Sequence, residues 1–372
     1  KAPIARLATE NGYVFDSSRS TLRVSYGELT QGNIIEKHLD DLPPFKPPSA
    51  FKTIGESVPR RDAIEKVTGA AKFSGDIRRE GMLYAKILRP PAHGAKLLQA
   101  DTAAAKKIDG LQVVEEGDFI AVLHKYPDVA EQGLARIKAQ FDRPKTGVND
   151  RTIIDHLLKS PPAPEIASQG GNLKTGEKQA ATVIEKTFYN SYVSHARMEP
   201  HAAVANFDGK KLTVWASTQT PFRVKDMIAG QLGLSADQVR VIAPYLVGAF
   251  GGKSASQQAL EAAHLAKRLR KPVQVAWSRA EEFFFDTFRP AAIVKIKSGI
   301  DSAGKMTLWD YNVYYAGMRG SKQFYEIPHH KEVVHGRWRG LSGRYHPFAV
   351  GPWRAPANNT NTYARDLQLN LM

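Results

Sequence analysis

Alternation of apolar and polar positions dominates the chain after residue 180. ATVIEKTFYN (181–190), HAAVANF (201–207), KLTVWAS (211–217), QVRVIAP (238–244), PVQVAWS (272–278), AAIVKIKSGI (291–300) and MTLWDYNVYYA (306–316) read as strands. Two runs, 222–232 and 257–270, follow a helical period instead. Pro221 suits a first helical turn, with Thr220 before it as N-cap. Residues 50–165 mix strands (MLYAKILRP, LQVVEEGDFIAVL) with helices (TAAAKKI and Asp128–Phe141). The second helix carries a stripe of Val129, Leu134, Ile137 and Phe141. Residues 1–45 hold one alternating run, STLRVSYGEL, and lead into PPFKPPSAF, an extended connector. SPPAPEIASQGGNLKTGEK (160–178) reads as a second linker. The pattern predicts an α+β protein.

Composition narrows this. The chain has 372 residues, 42% hydrophobic and 24% charged, the balance of a globular protein with more than one domain. No run of eighteen apolar residues occurs, the length a membrane-spanning helix needs. The net charge of +15 comes from 52 basic and 37 acidic residues. The basic residues are dispersed, with small clusters at Arg60–Arg61, Lys267–Lys271 and Arg337–Arg344. They fit a solvated surface or a docking face for an acidic partner better than nucleic-acid binding. Cysteine is absent, which excludes disulfides, thiolate zinc sites and cysteine-held iron–sulfur clusters in this chain. A metal held by a cofactor's own sulfurs stays open. His329 and His330 are adjacent and read as surface or loop residues rather than ligands.

The densest chemistry is RVIAPYLVGAFGGKSAS (240–256). A strand-like run leads into Gly248, Gly251 and Gly252, and a helix follows from about Gln257. Such a turn offers bare backbone N–H groups beside a helix N-terminus, a place for an anion. It is not a P-loop, because Val247 stands where that motif needs glycine.

Together with SYVSHARMEPHAAVANF, LTVWASTQTPFRV, FAVGPWRAPANNTNTYARD and KVTGAAKFSGDIRREGMLYAKILRPPAHGAKL, this turn resembles the molybdopterin-binding subunit of the xanthine dehydrogenase and aldehyde oxidase family. The HARMEPHAAVA and GPWRAP forms are most similar to the branch of isoquinoline 1-oxidoreductase and related bacterial aldehyde dehydrogenases. The resemblance spans roughly residues 50–372. It implies an N-terminal extension (1–49), a small α/β hammerhead domain at the entrance (50–165), a linker (166–178) and the first half of a mixed α+β molybdopterin-binding domain (179–372).

The resemblance also implies hydroxylation of an aldehyde or N-heteroaromatic substrate with water as oxygen source. The cofactor would be molybdopterin, in its cytosine dinucleotide form, with the pterin dithiolene and no side chain holding molybdenum. Gln219, 35 residues before Ser254, matches the glutamine whose amide donates beside the metal; its other reading is a cap for the 222–232 helix. Gly248, Ala249, Phe250, Gly251 and Gly252 match the cofactor turn, with the Phe250 and Gly251 amides facing the cofactor and Phe250 shaping the substrate pocket. Ala249 replaces a glycine of that pattern, so its φ must stay negative. Ser254 stands where purine-oxidising members carry a glutamate, which argues against xanthine. It is a candidate cap for the following helix. Arg354 and Ala355 match the pterin-binding loop, and Trp353 and Pro356 its pocket-lining positions. Glu199 reads as structural, pairing buried donors.

The family's subunit continues beyond the point matching Met372, and its base glutamate has no match here. A second molybdenum-subunit chain is therefore expected to complete the site, from a split gene or a cut precursor. Electrons are expected to leave through a small [2Fe–2S] subunit, with a cytochrome c as candidate acceptor. The resemblance places the protein in the periplasm or on the periplasmic side of a membrane, with the cytoplasm left open. The rival reading is a cofactor-free assembly subunit that keeps only the fold.

Overall fold

The computed structural model describes all residues except 1, 35, 37, 39, 41–43, 146 and 340–344. Arg344 of the third basic cluster and Pro43 of the connector lie outside the described residues. The chain divides into Lys1–Ala63 and Ile64–Met372.

The first unit is built on an antiparallel sheet of β1 (Leu7–Glu10), β2 (Tyr13–Asp16) and β3 (Arg19–Ser25). A short helix, Tyr26–Thr30, starts at Ser25, whose hydroxyl accepts from Glu28 N–H while Glu28 accepts from Ser25 N–H.

The second unit holds two large sheets and one strand pair. Its strands are β4 (Leu83–Ile87), β5 (Lys96–Asp101), β6 (Gln112–Glu116), β7 (Phe119–His124), β8 (Lys138–Asp142), β9 (Pro164–Gly170), β10 (Thr182–Asn190), β11 (Ala202–Phe207), β12 (Leu212–Ala216), β13 (Val239–Ile242), β14 (Val273–Ala276), β15 (Ala292–Ile300), β16 (Met306–Tyr314) and β17 (His330–His335). Seven strands run in the order β13-β12-β11-β14-β4-β7-β6. This sheet joins strands of the expected hammerhead segment to strands of the expected cofactor-binding segment, through the parallel pair β14–β4. The helix Gln257–Leu269 lies on β11 and β14. Its Ala259, Ala262, Ala263 and Ala266 recur at helical spacing and are fully buried, as are Ala203 and Ala205 of β11. Small side chains on both surfaces let helix and sheet approach closely.

The other large sheet runs β10-β15-β16-β17-β9. Ile296, Trp309, Tyr311 and Val313 pack in one cluster with Ala364 of the helix Asn358–Leu371.

Three expectations change. The helix expected at Asp128–Phe141 ends at Ala135, and Lys138–Asp142 is β8, paired with β5. Phe141 sits opposite Leu97, so its apolar side chain serves a strand pair rather than a helical stripe. The linker expected at 166–178 is instead β9, an edge strand paired with β17, followed by the helix Leu173–Gln179. An edge position tolerates Pro164, which has no N–H to give. Of the two histidines expected on a surface or loop, His330 opens β17 and His329 directly precedes it. Gly170 and Gly171 admit their rings so closely that a Cβ there would collide with them.

Candidate functional site

Five segments meet around the glycine turn. β13 delivers 248–252, and a 3₁₀ turn, Gly252–Ser254, leads on to the helix from Gln257. Ser256, not Ser254, takes the N-cap position of that helix. Thr220 does stand at the N-cap of Pro221–Leu232, but its hydroxyl donates to Ser254 O at 3.4 Å instead of capping.

The turn is forced by its backbone. Gly248 and Gly251 have φ of +71° and +112°. Phe250 also sits at +53°, a left-handed conformation that costs a side chain about 1–2 kcal/mol. Ala249 is not among the positive-φ residues, as its side chain requires. A Cβ on Gly251 would run into Pro352 O, and one on Gly252 into Arg197, Asp286 and His195.

Gln219 is anchored at the turn. Its N–H donates to Lys253 O at 2.9 Å, and its Oε1 accepts from Gly251 N–H at 3.0 Å. The Gly251 amide, expected to face the cofactor, is therefore taken by Gln219. Gln219's own NH₂ stays exposed beside the turn. Among the described residues no hydrogen bond engages the N–H of Gly248, Ala249 or Phe250.

Arg354 N–H donates to Phe250 O at 2.8 Å, which brings the 350–357 loop against the turn. The Arg354 side chain is exposed, with no carboxylate partner among the described residues. Trp353 lies under the Arg289 guanidinium, 5.1 Å from ring centroid to charge. Burial lowers the pKa of that guanidinium. Ala355, like Ala357, holds positive φ; Ala355 is exposed and Pro356 half-buried.

Behind the turn lies a buried charged cluster that the sequence pattern does not announce. Arg197, fully buried, donates through Nη1 to Asp286 at 2.6 Å and through Nη2 to Glu282. His195 lies 2.8 Å from Asp286, and His201 2.8 Å from Glu282. Burial opposes the ionisation of both carboxyls. The His195 bond and Arg197 charge at Asp286, and His201 with Arg197 at Glu282, outweigh it and hold both below the usual range. Lys253 is buried against Glu199 at 2.5 Å, and burial lowers its pKa despite that partner. Glu199 also accepts from Val247 N–H at 3.1 Å, the structural role expected of it. One signal was available for the cluster: Glu282 and Asp286 stand four apart, on one face of a helical turn.

Buried polar atoms without partners gather in the same segments: the donors Arg197 Nε, Arg279 Nη1, Thr287 Oγ1, Arg289 Nε, Trp353 Nε1 and Asn359 Nδ2, and one acceptor, Glu199 Oε1. All but Glu199 Oε1 can donate, and buried donors rarely stay unpaired. Such a set fits an anionic, acceptor-rich group such as a phosphate-bearing pterin. No set of three or more His, Cys, Asp or Glu able to hold a metal ion occurs among the described residues.

Residues 159–324 match the sequence model of the molybdopterin cofactor-binding domain. One of the subunits of the nicotinate dehydrogenase of Pseudomonas putida is 26% identical over 324 residues, covering 84% of this chain and 27% of that one. The aldehyde oxidoreductase molybdenum-binding subunit PaoC of Escherichia coli is 28% identical, covering 74% and 41%. Quinoline 2-oxidoreductase of Pseudomonas putida 86 shares the fold, with a TM-score of 0.71 at 19% identity, covering 84% of this chain and 47% of that one. The chain thus spans less than half the length of each.

Proposed function

We propose that this chain, whose residues 159–324 match the molybdopterin cofactor-binding domain and which is similar over part of their length to oxidoreductase subunits, is the cofactor-holding part of a molybdenum hydroxylase. The substrate we propose is an N-heteroaromatic ring or an aldehyde, oxidised with water as oxygen source. When bound, the cofactor supplies Lewis acidity and a two-electron sink.

The chain's own residues bind and orient. The free N–H of Phe250 and the NH₂ of Gln219 donate toward the cofactor. Arg354 offers a planar, bidentate grip on its phosphate or pterin. The exposed Phe250 ring and Trp353 present apolar faces to a flat substrate. Ser254 supplies no carboxylate for a purine ring. A second chain would bring the base and the rest of the cofactor shell. A small [2Fe–2S] subunit would drain the electrons, with a cytochrome c beyond it. The cytosine dinucleotide form of the cofactor belongs to the same proposal.

The observation that carries this reading is the bond from Gly251 N–H to Gln219 Oε1, because it leaves the Gln219 NH₂ presented beside the turn. The test is the complete protein, purified through a tag on this chain. Molybdenum at about one per chain is expected, as is oxidation of a pyridine-type ring or an aldehyde. Gln219→Glu keeps the acceptor for Gly251 and removes the donor. It is expected to keep molybdenum but to lose about 3 kcal/mol of transition-state stabilisation. A metal-free protein, or an unchanged rate in Gln219→Glu, overturns the assignment.

A further inference from the structure

The two loops that carry the expected cofactor residues are tied from behind by one side chain. His195 is fully buried. Its Nε2 lies 2.7 Å from Pro352 O in the 350–357 loop, and its Nδ1 lies 2.8 Å from Asp286 Oδ2. That carboxylate oxygen also takes Arg197 Nη1 at 2.6 Å. Pro352 O sits against Gly251, and the His195 ring and Asp286 sit against Gly252, so neither glycine has room for a Cβ. Both neighbours of the ring are acceptors. Only a ring with a proton on each nitrogen makes both bonds at once. If the 350–357 loop drifted outward by about an ångström, the bond to Pro352 O would pass out of hydrogen-bond range.

We propose that His195 is a positioning residue. It clasps the 350–357 loop to the glycine turn and so fixes the Arg354 side chain relative to the Phe250 N–H and ring, the groups assigned above to cofactor and substrate. The proposal rests on the cofactor reading above. A residue that only filled the interior could be replaced by phenylalanine with an effect on stability alone.

The test compares the complete wild-type protein with His195→Phe and His195→Gln. Gly351 N–H donates to Phe288 O at 2.9 Å and Arg354 N–H to Phe250 O at 2.8 Å. Hydrogen exchange at these two amides reads the clasp with or without cofactor. In folded His195→Phe, both should exchange about tenfold faster or more, while amides of the helix Gln257–Leu269 stay unchanged. Molybdenum and pterin should dissociate about tenfold faster or more. His195→Gln, which keeps a donor for Pro352 O, should fall between. Unchanged exchange and release in folded His195→Phe overturn the clasp. If His195→Phe does not fold, His195→Gln and Asp286→Asn decide by the same exchange, and no change in either overturns it. A wild-type protein without molybdenum sinks the cofactor reading, while exchange at Gly351 and Arg354 still decides the clasp.

Discussion

The helix Gln257–Leu269 borders two interiors of opposite kind. Against the seven-stranded sheet it buries Ala259, Ala262, Ala263, Leu265 and Ala266 among apolar neighbours. At its N-terminal end, behind the glycine turn, lie Arg197, His195, His201, Glu282, Asp286 and Lys253, also buried. The apolar side is held by area and volume, which many sequences could supply. The polar side is held by partner count, and removing one partner strands the others in a medium that solvates them poorly. The polar layer stands where the 350–357 loop meets the glycine turn, and the apolar one where a sheet needs cover.

The largest effect should come from Arg197→Leu, which leaves Glu282 and Asp286 buried without their shared cation. We expect a loss of about 3–5 kcal/mol in chemical denaturation. A loss below about 1 kcal/mol would mean that the polar layer tolerates change as an apolar core does.

On the other side of the helix, Leu265→Ala should cost about 3 kcal/mol and Leu265→Met less than about 1.5 kcal/mol. Equal costs for the two would show that this layer, too, is bound to one shape.

Acid should separate the two interiors without mutation. Asp286 and Glu282 have lowered pKa values in the folded protein. Their contribution is fully present above the ordinary carboxyl range of about 4 and is lost as pH falls through the lowered values. Denaturation from about pH 5 downward should show this loss, and Asp286→Asn should flatten it. A variant with the wild-type slope would remove Asp286 from the account.

The smallest effect concerns the turn itself. Phe250→Gly relieves a left-handed φ while giving up a ring that is 43% exposed. The melting curve should show a gain of up to about 1 kcal/mol, and substrate oxidation should slow. A destabilisation of similar size would mean that the ring is packed rather than presented.

Much of the apolar side was legible in the sequence. The alternating runs at 201–207, 211–217 and 272–278 became β11, β12 and β14, and the period at 257–270 became the helix above them. The turn was legible as well, since glycine positions and the strand and helix around them are local facts. Less legible were segments whose state depends on a distant partner. The run Asp128–Phe141 carries a fair helical stripe, yet its end lies in Lys138–Asp142, which pairs with Lys96–Asp101. Pro164–Gly170 reads as a linker, yet it lies along His330–His335.

The sequence alone determined where most strands and helices would run and which turn must be glycine, because propensity and periodicity act within a few residues, while the expectation that Gln219 and Arg354 belong near that turn came from the family resemblance. Tertiary structure alone decided which amide Gln219 would occupy and that six ionisable groups would share one buried space. His195 and Asp286 are 91 positions apart and Arg197 and Asp286 are 89 apart. Charges that distant become partners only when the fold removes the water between them, and a residue's identity does not say where that will happen.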